Sequence, residues 1–356
     1  MKLLQRYLVR EIIGSILLIM LALLAMFSFF DLIQELESVG KGSYGIGQVL
    51  IFVLLSAPGH VYEVVPVAVL VGTMYALGQF ARYSELIVLR VSGVSIISIG
   101  LGLLRVGLVF ALLTFVVGEL VTPLSEKTAQ RMRIKATDSV VAQDFRSGLW
   151  VKDGNSFVNV ENVSPDAGLL NIHIYEFDSG FHLRTISNAK SAHFTGDGWD
   201  MQDVSQTFFD KNGIRTKSFA EATWKSLIRP ELLNVLLVTP EKMSAWNLYS
   251  YINHLSANKQ NTSRYEIALW SKMAYPLACL VMVILALPFG FLQQRSGAAS
   301  TKIFAGIMLG IVYQVLNRVF VHLGLLNDWS ALFSAIVPTL LFLSAGLFML
   351  FWVERR

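Results

Sequence analysis

Long apolar runs constrain the fold of this 356-residue chain more than any other feature. An α-helix rises about 1.5 Å per residue, so about 20 apolar residues cross a hydrocarbon core about 30 Å thick. Five runs have roughly that length, and a sixth, between Val49 and Ala81, is longer. The sequence therefore predicts an α-helical membrane bundle with six spans. The other five runs lie at residues 12–33, 97–122, 267–291, 301–323 and 330–353.

The run from Val49 to Ala81 is too long for one crossing and too short for two. Pro58 and Pro66 lie inside it, and proline removes a backbone donor and kinks a helix. We therefore expect a break, with an interfacial or external helix near 46–57 and a span near 64–81.

Most charged residues lie in one water-facing segment. Of the 54 Asp, Glu, Lys and Arg residues, 31 lie between residues 125 and 265. Short alternating runs such as Ile172–Phe177, separated by turn-forming residues, indicate an antiparallel β-sandwich or open barrel. We expect three parts: spans 1–3 in residues 1–124, a β domain in 125–265, and spans 4–6 in 266–356. Helical connectors are expected at Pro123–Thr137 and Pro240–Asn258.

The positions of Lys and Arg in short loops predict the orientation, because such loops are enriched in these residues on the cytoplasmic side. The N-terminal side carries nine of them, whereas the opposite side offers only Lys41. Both termini are therefore expected in the cytoplasm and the β domain outside it. The nine are Lys2, Arg6, Arg10, Arg82, Arg90, Arg295, Lys302, Arg355 and Arg356.

The sequence offers little for catalysis. The single cysteine, Cys279, excludes an intramolecular disulfide and a Cys-rich metal site. Motifs for zinc proteases, nucleophile elbows and phosphate-binding loops are absent from the sequence. We therefore expect no catalytic residue, metal site, cofactor or ATP site in this chain. With a net charge of only +4 and no dense basic block, nucleic acid is not an expected partner.

Ionisable residues at membrane depth are costly and often functional. Arg318 lies about 17 residues into the fifth run, toward its external end. Its guanidinium either holds a phosphate group or extends to the lipid interface. Asp31 and Glu63 lie toward the same side, and each is either an ion-pair partner of Arg318 or an interfacial acid.

The loop between spans 2 and 3 predicts a short two-sided helix. Ser84 can cap its start and Gly93 its end. Such a helix either lies on the lipid surface or docks into a protein cleft. Its charged and apolar positions are Glu85, Leu86, Leu89 and Arg90.

Four separated motifs carry a family resemblance. They are Arg82-Tyr-Ser-Glu-Leu-Ile-Val-Leu-Arg-Val-Ser-Gly, Gly118-Glu-Leu-Val-Thr-Pro, Gly148-Leu-Trp-Val-Lys-Asp-Gly and Arg264-Tyr-Glu-Ile-Ala-Leu-Trp-Ser-Lys. In this order they closely resemble the permease subunits of the lipopolysaccharide export transporter, the LptF/LptG family, and the LptG branch more than the LptF branch.

The resemblance implies an ABC transporter in the inner membrane of a Gram-negative bacterium. Its permease subunit would extract lipopolysaccharide from the outer leaflet and pass it to a periplasmic bridge. The implied partners are an LptB-type ATPase dimer that binds ATP and Mg²⁺, an LptF-type permease and an LptC-type anchored protein. The β domain would be periplasmic and jelly-roll-like.

The resemblance also implies residue roles. Residues 84–93 correspond to the family's coupling helix, with Glu85 at the acidic position that contacts the ATPase. Arg133 matches an arginine implicated in substrate handling.

Two departures affect the expected contact with lipid A phosphate. Asp31 occupies the position of a family lysine near the outer end of span 1, and Glu37 and Ser38 replace the lysine pair that follows. Arg318 and Lys41 are our candidates to supply the missing cation.

The residue pattern of the spans is consistent with this role. Spans 1 and 5 are expected to form the cavity wall, with small residues allowing close helix approach. Aromatic residues of the β domain are expected to lie in its core or, less favoured, along a groove. The alternative function is a membrane scaffold that recruits envelope proteins without transport. The small residues are Gly14, Ser15, Gly306 and Gly310, and the aromatic residues are Trp150, Phe157, Tyr175 and Phe177.

Overall fold

The computed structural model describes residues 2–85, 88, 91, 96–137, 149–163, 168–196, 198–210, 213–224, 226, 239–291 and 299–355. Within these residues, six helical segments are long and apolar enough to cross a membrane, which confirms the predicted number of spans. The helices are α1 (Lys2–Leu36), α2 (Ile46–Arg82), α3 (Ile96–Val116), α4 (Thr122–Ala136), α5 (Ala245–Ala257), α6 (Ser263–Phe291), α7 (Ala299–Leu326) and α8 (Ala331–Glu354). A π-helical turn, Val117–Val121, joins α3 to α4 within one span.

The predicted break in the second run is wrong, because α2 continues for 37 residues through both prolines. Neighbouring helices bond to backbone carbonyls close to each proline. Thr122 Oγ1 donates to the Pro58 carbonyl at 3.2 Å. Tyr275 Oη and Gln314 Nε2 donate to the Glu63 carbonyl at 2.7 and 3.1 Å. These bonds hold α2 against its neighbours close to both prolines, and packed neighbouring helices are one reason that proline is tolerated in membrane helices. The first third of α2 packs on α4.

The centre of the bundle is formed by α2 and α6, which are the most buried spans. Residues such as Leu70, Met74, Leu77 and Met282 are fully buried between helices. Around this centre, α1 packs on α2, α8 and α3 pack on α6, and α7 packs on α2 and α8. In contrast, α1, α7 and α8 are the least buried spans, and each exposes many large apolar side chains.

Small residues set the closest helix contacts, as predicted for two of the glycines. A Cβ on Gly310 would lie 2.6 Å from Val67 Cγ1, and one on Gly306 would lie 3.1 Å from Met74 Sδ. Gly14 has open space around it, so the prediction is wrong there. The closest approach of α1 to α2 is at Gly72, where a Cβ would lie 2.6 Å from Ile16 Cα.

The described residues between 149 and 224 form a β-sheet, as predicted, and the described connectors on both sides of it are helical. Its strands are β1 (Leu149–Asp153), β2 (Ser156–Val163), β3 (Leu169–Phe177), β4 (Leu183–Phe194), β5 (Trp199–Asp210) and β6 (Gly213–Trp224). They pair antiparallel, each with its neighbour in the chain. The order is that of a meander, and these six strands do not show the crossing connections of a jelly roll.

The aromatic residues expected in the sheet core lie on its other face. Leu149 pairs with Val160, and these residues belong to the buried cluster, whereas Trp150 is 51% exposed. Trp150 stacks on Tyr175 with ring centroids 5.7 Å apart. Adjacent residues of a strand face opposite sides, so each of these aromatics points away from the buried residue beside it. Phe157 and Phe177 lie on the same exposed face, in edge-to-face contact.

Candidate functional site

Ionisable residues gather in one layer at the end of the bundle nearest the sheet. The Glu63 carbonyl bonds to Tyr275 and Gln314, so these positions of α2, α6 and α7 lie at one depth. One helical turn nearer the sheet are His60, Lys272 and Arg318, which we call the sheet-side layer. From this layer, about 20 residues of α2 lead to its far end, a rise of about 30 Å. The layer therefore lies at one boundary of the hydrocarbon core.

Arg318 is the exposed cation of this layer. It lies on the outward face of α7, beside Val315 and Val319, which are 53% and 44% exposed. Its carbonyl faces His322 Nδ1 at 3.0 Å, while its guanidinium forms no ion pair with any residue that the structure describes. The geometry therefore does not bring it to Asp31 or Glu63, its two expected partners within the chain.

Asp31 is instead paired with His60. Its Oδ2 lies 2.5 Å from His60 Nε2, and both side chains are largely buried. The His60 ring also stacks on Phe27, with centroids 5.4 Å apart. Asp31 thus joins α1 to α2, in a contact that the sequence did not predict.

Arg133 is engaged by Glu35, a residue that sequence reasoning missed. Arg133 Nε lies 3.2 Å from Glu35 Oε2, with the arginine side chain 39% exposed and the glutamate 8% exposed. Tyr44 Oη donates to the same oxygen at 2.9 Å. Burial and this hydrogen bond raise the pKa of Tyr44 well above its ordinary value, so the hydroxyl stays a donor. Arg133 also lies over the Phe52 ring, 5.6 Å from its centroid.

Lys41 lies in the loop between α1 and α2 and is exposed. The same loop docks on α4, because the Ser43 N–H and Oγ both donate to the Ala136 carbonyl. The end of α1, the loop and the end of α4 therefore form one contact region around Arg133.

The predicted coupling helix is described only in part. A helical turn begins at Ser84, whose carbonyl accepts from the Val88 N–H at 3.1 Å. The Tyr7 side chain, near the start of α1, lies close to Glu85. The expected positions Leu86, Leu89, Arg90 and Gly93 lie outside the described residues.

The described residues contain no cluster of three or more His, Cys, Asp or Glu side chains that could hold a metal ion. Cys279 is buried, 3.5 Å from Thr114 Oγ1. Within the part of the chain that is described, the notable chemistry is therefore that of paired and exposed charges at the sheet-side layer.

Comparison with known proteins gives consistent matches. The family described as lipopolysaccharide export system permease LptF/LptG matches residues 6–352. The chain is 32% identical over 355 residues to the lipopolysaccharide export system permease protein LptG of Haemophilus influenzae, covering 99% of this chain and 98% of that protein. It is 30% identical over 350 residues to the protein of the same name from Escherichia coli K12, covering 98% and 97% of the two chains.

Proposed function

The chain belongs to the LptF/LptG family of lipopolysaccharide export permeases, and from this membership we propose that it is the transmembrane subunit of an ABC transporter. It takes lipopolysaccharide from the outer leaflet of the inner membrane and passes it to a periplasmic bridge. Both termini lie in the cytoplasm and the sheet lies in the periplasm, as the Lys and Arg distribution predicts.

The exposed position of Arg318 is the observation that supports this role best. It places a guanidinium at the hydrocarbon boundary, on an apolar face that the rest of the chain leaves exposed. Lipid A combines acyl chains with phosphate groups, so it fits a surface where an arginine adjoins apolar side chains. A guanidinium can bind phosphate through two parallel hydrogen bonds. Lys41 and Arg133 are further candidate phosphate contacts, and Arg133 must then share its guanidinium with Glu35.

The partners follow from the faces that the chain leaves uncovered. The exposed apolar sides of α1 and α7 suit an LptF-type permease, which would close the cavity. The helix that begins at Ser84 would dock on an LptB-type ATPase dimer through Glu85, and this dimer would bind ATP and Mg²⁺. An LptC-type protein would accept the substrate beyond the sheet.

The Arg318 contact is tested in the reconstituted complex by photocrosslinking to lipopolysaccharide from a probe at Val315. Arg318→Ala should lower crosslinking and transport, and Arg318→Lys should recover part of both because lysine keeps the charge but not the two-pronged geometry. Arg105→Ala is the matched control, since it removes an exposed span arginine from the opposite half of the membrane.

The outcomes separate the possible roles. If Arg318→Ala lowers only thermal stability while the folded complex binds lipopolysaccharide normally, the phosphate assignment is wrong. If lipopolysaccharide does not stimulate ATP hydrolysis by the wild-type complex, the transport role fails and a scaffold is the better explanation.

A further inference from the structure

The helix that returns from the sheet to the bundle, α5, begins at the sheet-side layer. The Ala245 N–H, in its first turn, donates to both Glu119 oxygens at 3.0 and 2.9 Å. Two residues earlier, the Met243 carbonyl accepts a hydrogen bond from Lys272 Nζ, and this nitrogen lies 3.9 Å from Glu119 Oε2. Because Lys272 belongs to the sheet-side layer, the first residues of α5 lie at the boundary of the hydrocarbon core.

From this boundary α5 rises along the outer end of α6, away from the membrane. Leu248 is buried in one cluster with Ala268. Nearly one turn farther along α5, the Tyr251 ring meets the Tyr265 ring edge to face, with centroids 4.6 Å apart. Residue numbers thus rise along α5 while they fall along α6, so the two helices are antiparallel. At the far end, Asn258 Oδ1 accepts a backbone N–H of the β1–β2 turn at 3.2 Å. The helix therefore stands on the membrane boundary and ends at the sheet.

The outward face of α5 changes its composition with height above the membrane. Positions 246, 249, 253 and 256 share this face, because residues three or four apart are neighbours on a helix surface. Trp246 and Tyr249 are 75% and 54% exposed. Asn253 and Ser256 are exposed as well. The face is therefore aromatic near the membrane and polar near the sheet.

The aromatic part of this face ends at the depth where lipid headgroups end. With a rise of about 1.5 Å per residue, Trp246 and Tyr249 lie about 2 and 6 Å beyond Ala245. On the same scale, Asn253 and Ser256 lie about 12 and 17 Å beyond it. The headgroups add only about 5–7 Å to each side of the hydrocarbon core. The two aromatic residues alone lie within that layer, and their side chains lean toward the membrane because helical side chains tilt toward the N-terminus.

The neighbouring span shows a matching order of side chains on its own exposed face. Trp270, Met273 and Leu277 lie three and four residues apart on α6 and are 43%, 54% and 55% exposed. Trp270 lies two residues on the sheet side of Lys272, whereas Leu277 lies about 8 Å inside the core. Aliphatic side chains within the core and tryptophan at its boundary are the order expected of a lipid-facing surface.

We propose that α5 is a membrane-surface anchor whose partner is the phospholipid headgroup layer on the sheet side of the bilayer. The rings of Trp246 and Tyr249 contact the upper parts of the acyl chains, while the indole N–H and the phenol hydroxyl bond to headgroup oxygens. Because α5 is also bonded to Glu119 and to the sheet, this anchor fixes the height of the sheet above the bilayer. A face covered by water or by protein would give no reason for the aromatic residues to end at headgroup depth. The anchor does not depend on the proposed function.

Spin labelling of the full chain tests the anchor in nanodiscs of phosphatidylethanolamine and phosphatidylglycerol. Collisions of each label with lipid-soluble oxygen and with a water-soluble nickel chelate are measured. The two labels nearer the membrane should collide mainly with oxygen and the other two mainly with the chelate. The first and last labels should differ in depth by about 15 Å. The labelled variants are Trp246→Cys, Tyr249→Cys, Asn253→Cys and Ser256→Cys, each with Cys279→Ser.

A paired substitution separates lipid contact from helix propensity. Trp246→Ser combined with Tyr249→Ser removes both rings, and serine has about the same helix propensity as either residue. Hydrogen exchange of the α5 amides in the nanodisc should become faster. The matched control, Asn253→Ser combined with Ser256→Asn, changes the same face above the headgroups and should leave exchange unchanged.

Three results would overturn the proposal. A label at position 246 that meets the chelate as often as one at 256 places the start of α5 in water. A label at 246 that is shielded from both reagents shows that protein covers this face. Equal exchange rates in the two paired variants show that the rings do not hold the helix.

Discussion

Replacing Gly72 by alanine tests how tightly α1 packs on α2 at the closest point of contact. A Cβ at this position would lie 2.6 Å from Ile16 Cα and 2.8 Å from Ile16 N. Both atoms belong to the backbone, so rotation of a side chain cannot relieve the overlap. The helices themselves must separate.

The expected cost follows from that overlap. Carbon atoms pack best about 3.5–4.0 Å apart, so α1 must move by about 1 Å. Overpacking typically costs about 1–3 kcal/mol, and a backbone overlap belongs at the upper end. Alanine has a higher helix propensity than glycine, which stabilises the variant helix by about 1 kcal/mol and offsets part of this cost. The net effect is about 2 kcal/mol against the packed position of α1, or about 30-fold in that equilibrium.

Thiol crosslinking measures this displacement directly. Tyr7 and Phe80 lie close to one another farther along the same helix pair, toward the start of α1 and the end of α2, with ring centroids 6.1 Å apart. Cysteines at these two positions should crosslink more slowly in Gly72→Ala than in the parent chain. Gly14→Ala is the control on α1, because nothing lies within 4 Å of its added Cβ. Equal crosslinking rates in the two alanine variants would refute the argument.

Three further predictions concern the other parts of the molecule. Glu85→Ala should reduce co-purification of the ATPase, since losing one partner of an interfacial charge pair costs about 2–5 kcal/mol. Tyr7→Phe, which removes only a hydroxyl near Glu85 within this chain, should leave co-purification unchanged. Normal co-purification in Glu85→Ala would contradict the assignment. A cysteine at Gly196 should react with an impermeant reagent in intact spheroplasts and one at Ser84 should not; the reverse result would invert the topology. Burial lowers the pKa of His254, so its stabilising contribution is complete above the unfolded value of about 6.5 and is lost as the pH falls. The wild-type protein should therefore lose more thermal stability than His254→Gln on acidification, and parallel losses would disprove this.

The number of spans could be predicted because hydrocarbon thickness fixes the length of an apolar run. Continuity through Pro58 and Pro66 could not be predicted, since α4, α6 and α7, which contact α2 near both prolines, are distant from it in sequence. The β character of the insert follows from alternation and turns. Trp150 was predicted to lie in the sheet core, and this prediction is wrong because its side chain lies on the exposed face. The adjacent Leu149 is the buried residue, and its position next to Trp150 in the sequence already indicated the opposite face for one of the two.

In the candidate site, too, the depth of a residue could be predicted from the sequence, whereas its contacts with distant residues could not. The depth of Arg318 and Asp31 followed from counting along their runs. Glu119 and Lys272 carried the same signal, a charge inside an apolar run, and were missed. Pairing was not predictable in either case, because the chain offers several acids at one depth and only packing selects among them.

The pairing itself favours a partner outside the chain for Arg318. At or near the sheet-side layer, Asp31 pairs with His60 and Glu119 with Lys272, so the structure neutralises charges where the helices meet. Arg318 lies on a face that no described residue covers, and a charge left against hydrocarbon is costly. An arginine at the membrane boundary reduces this cost by extending to water at the interface or by binding an anion there. Lipid phosphate lies at that depth beside acyl chains, which also cover Val315 and Val319, whereas a carboxylate from a partner helix would itself have to leave water.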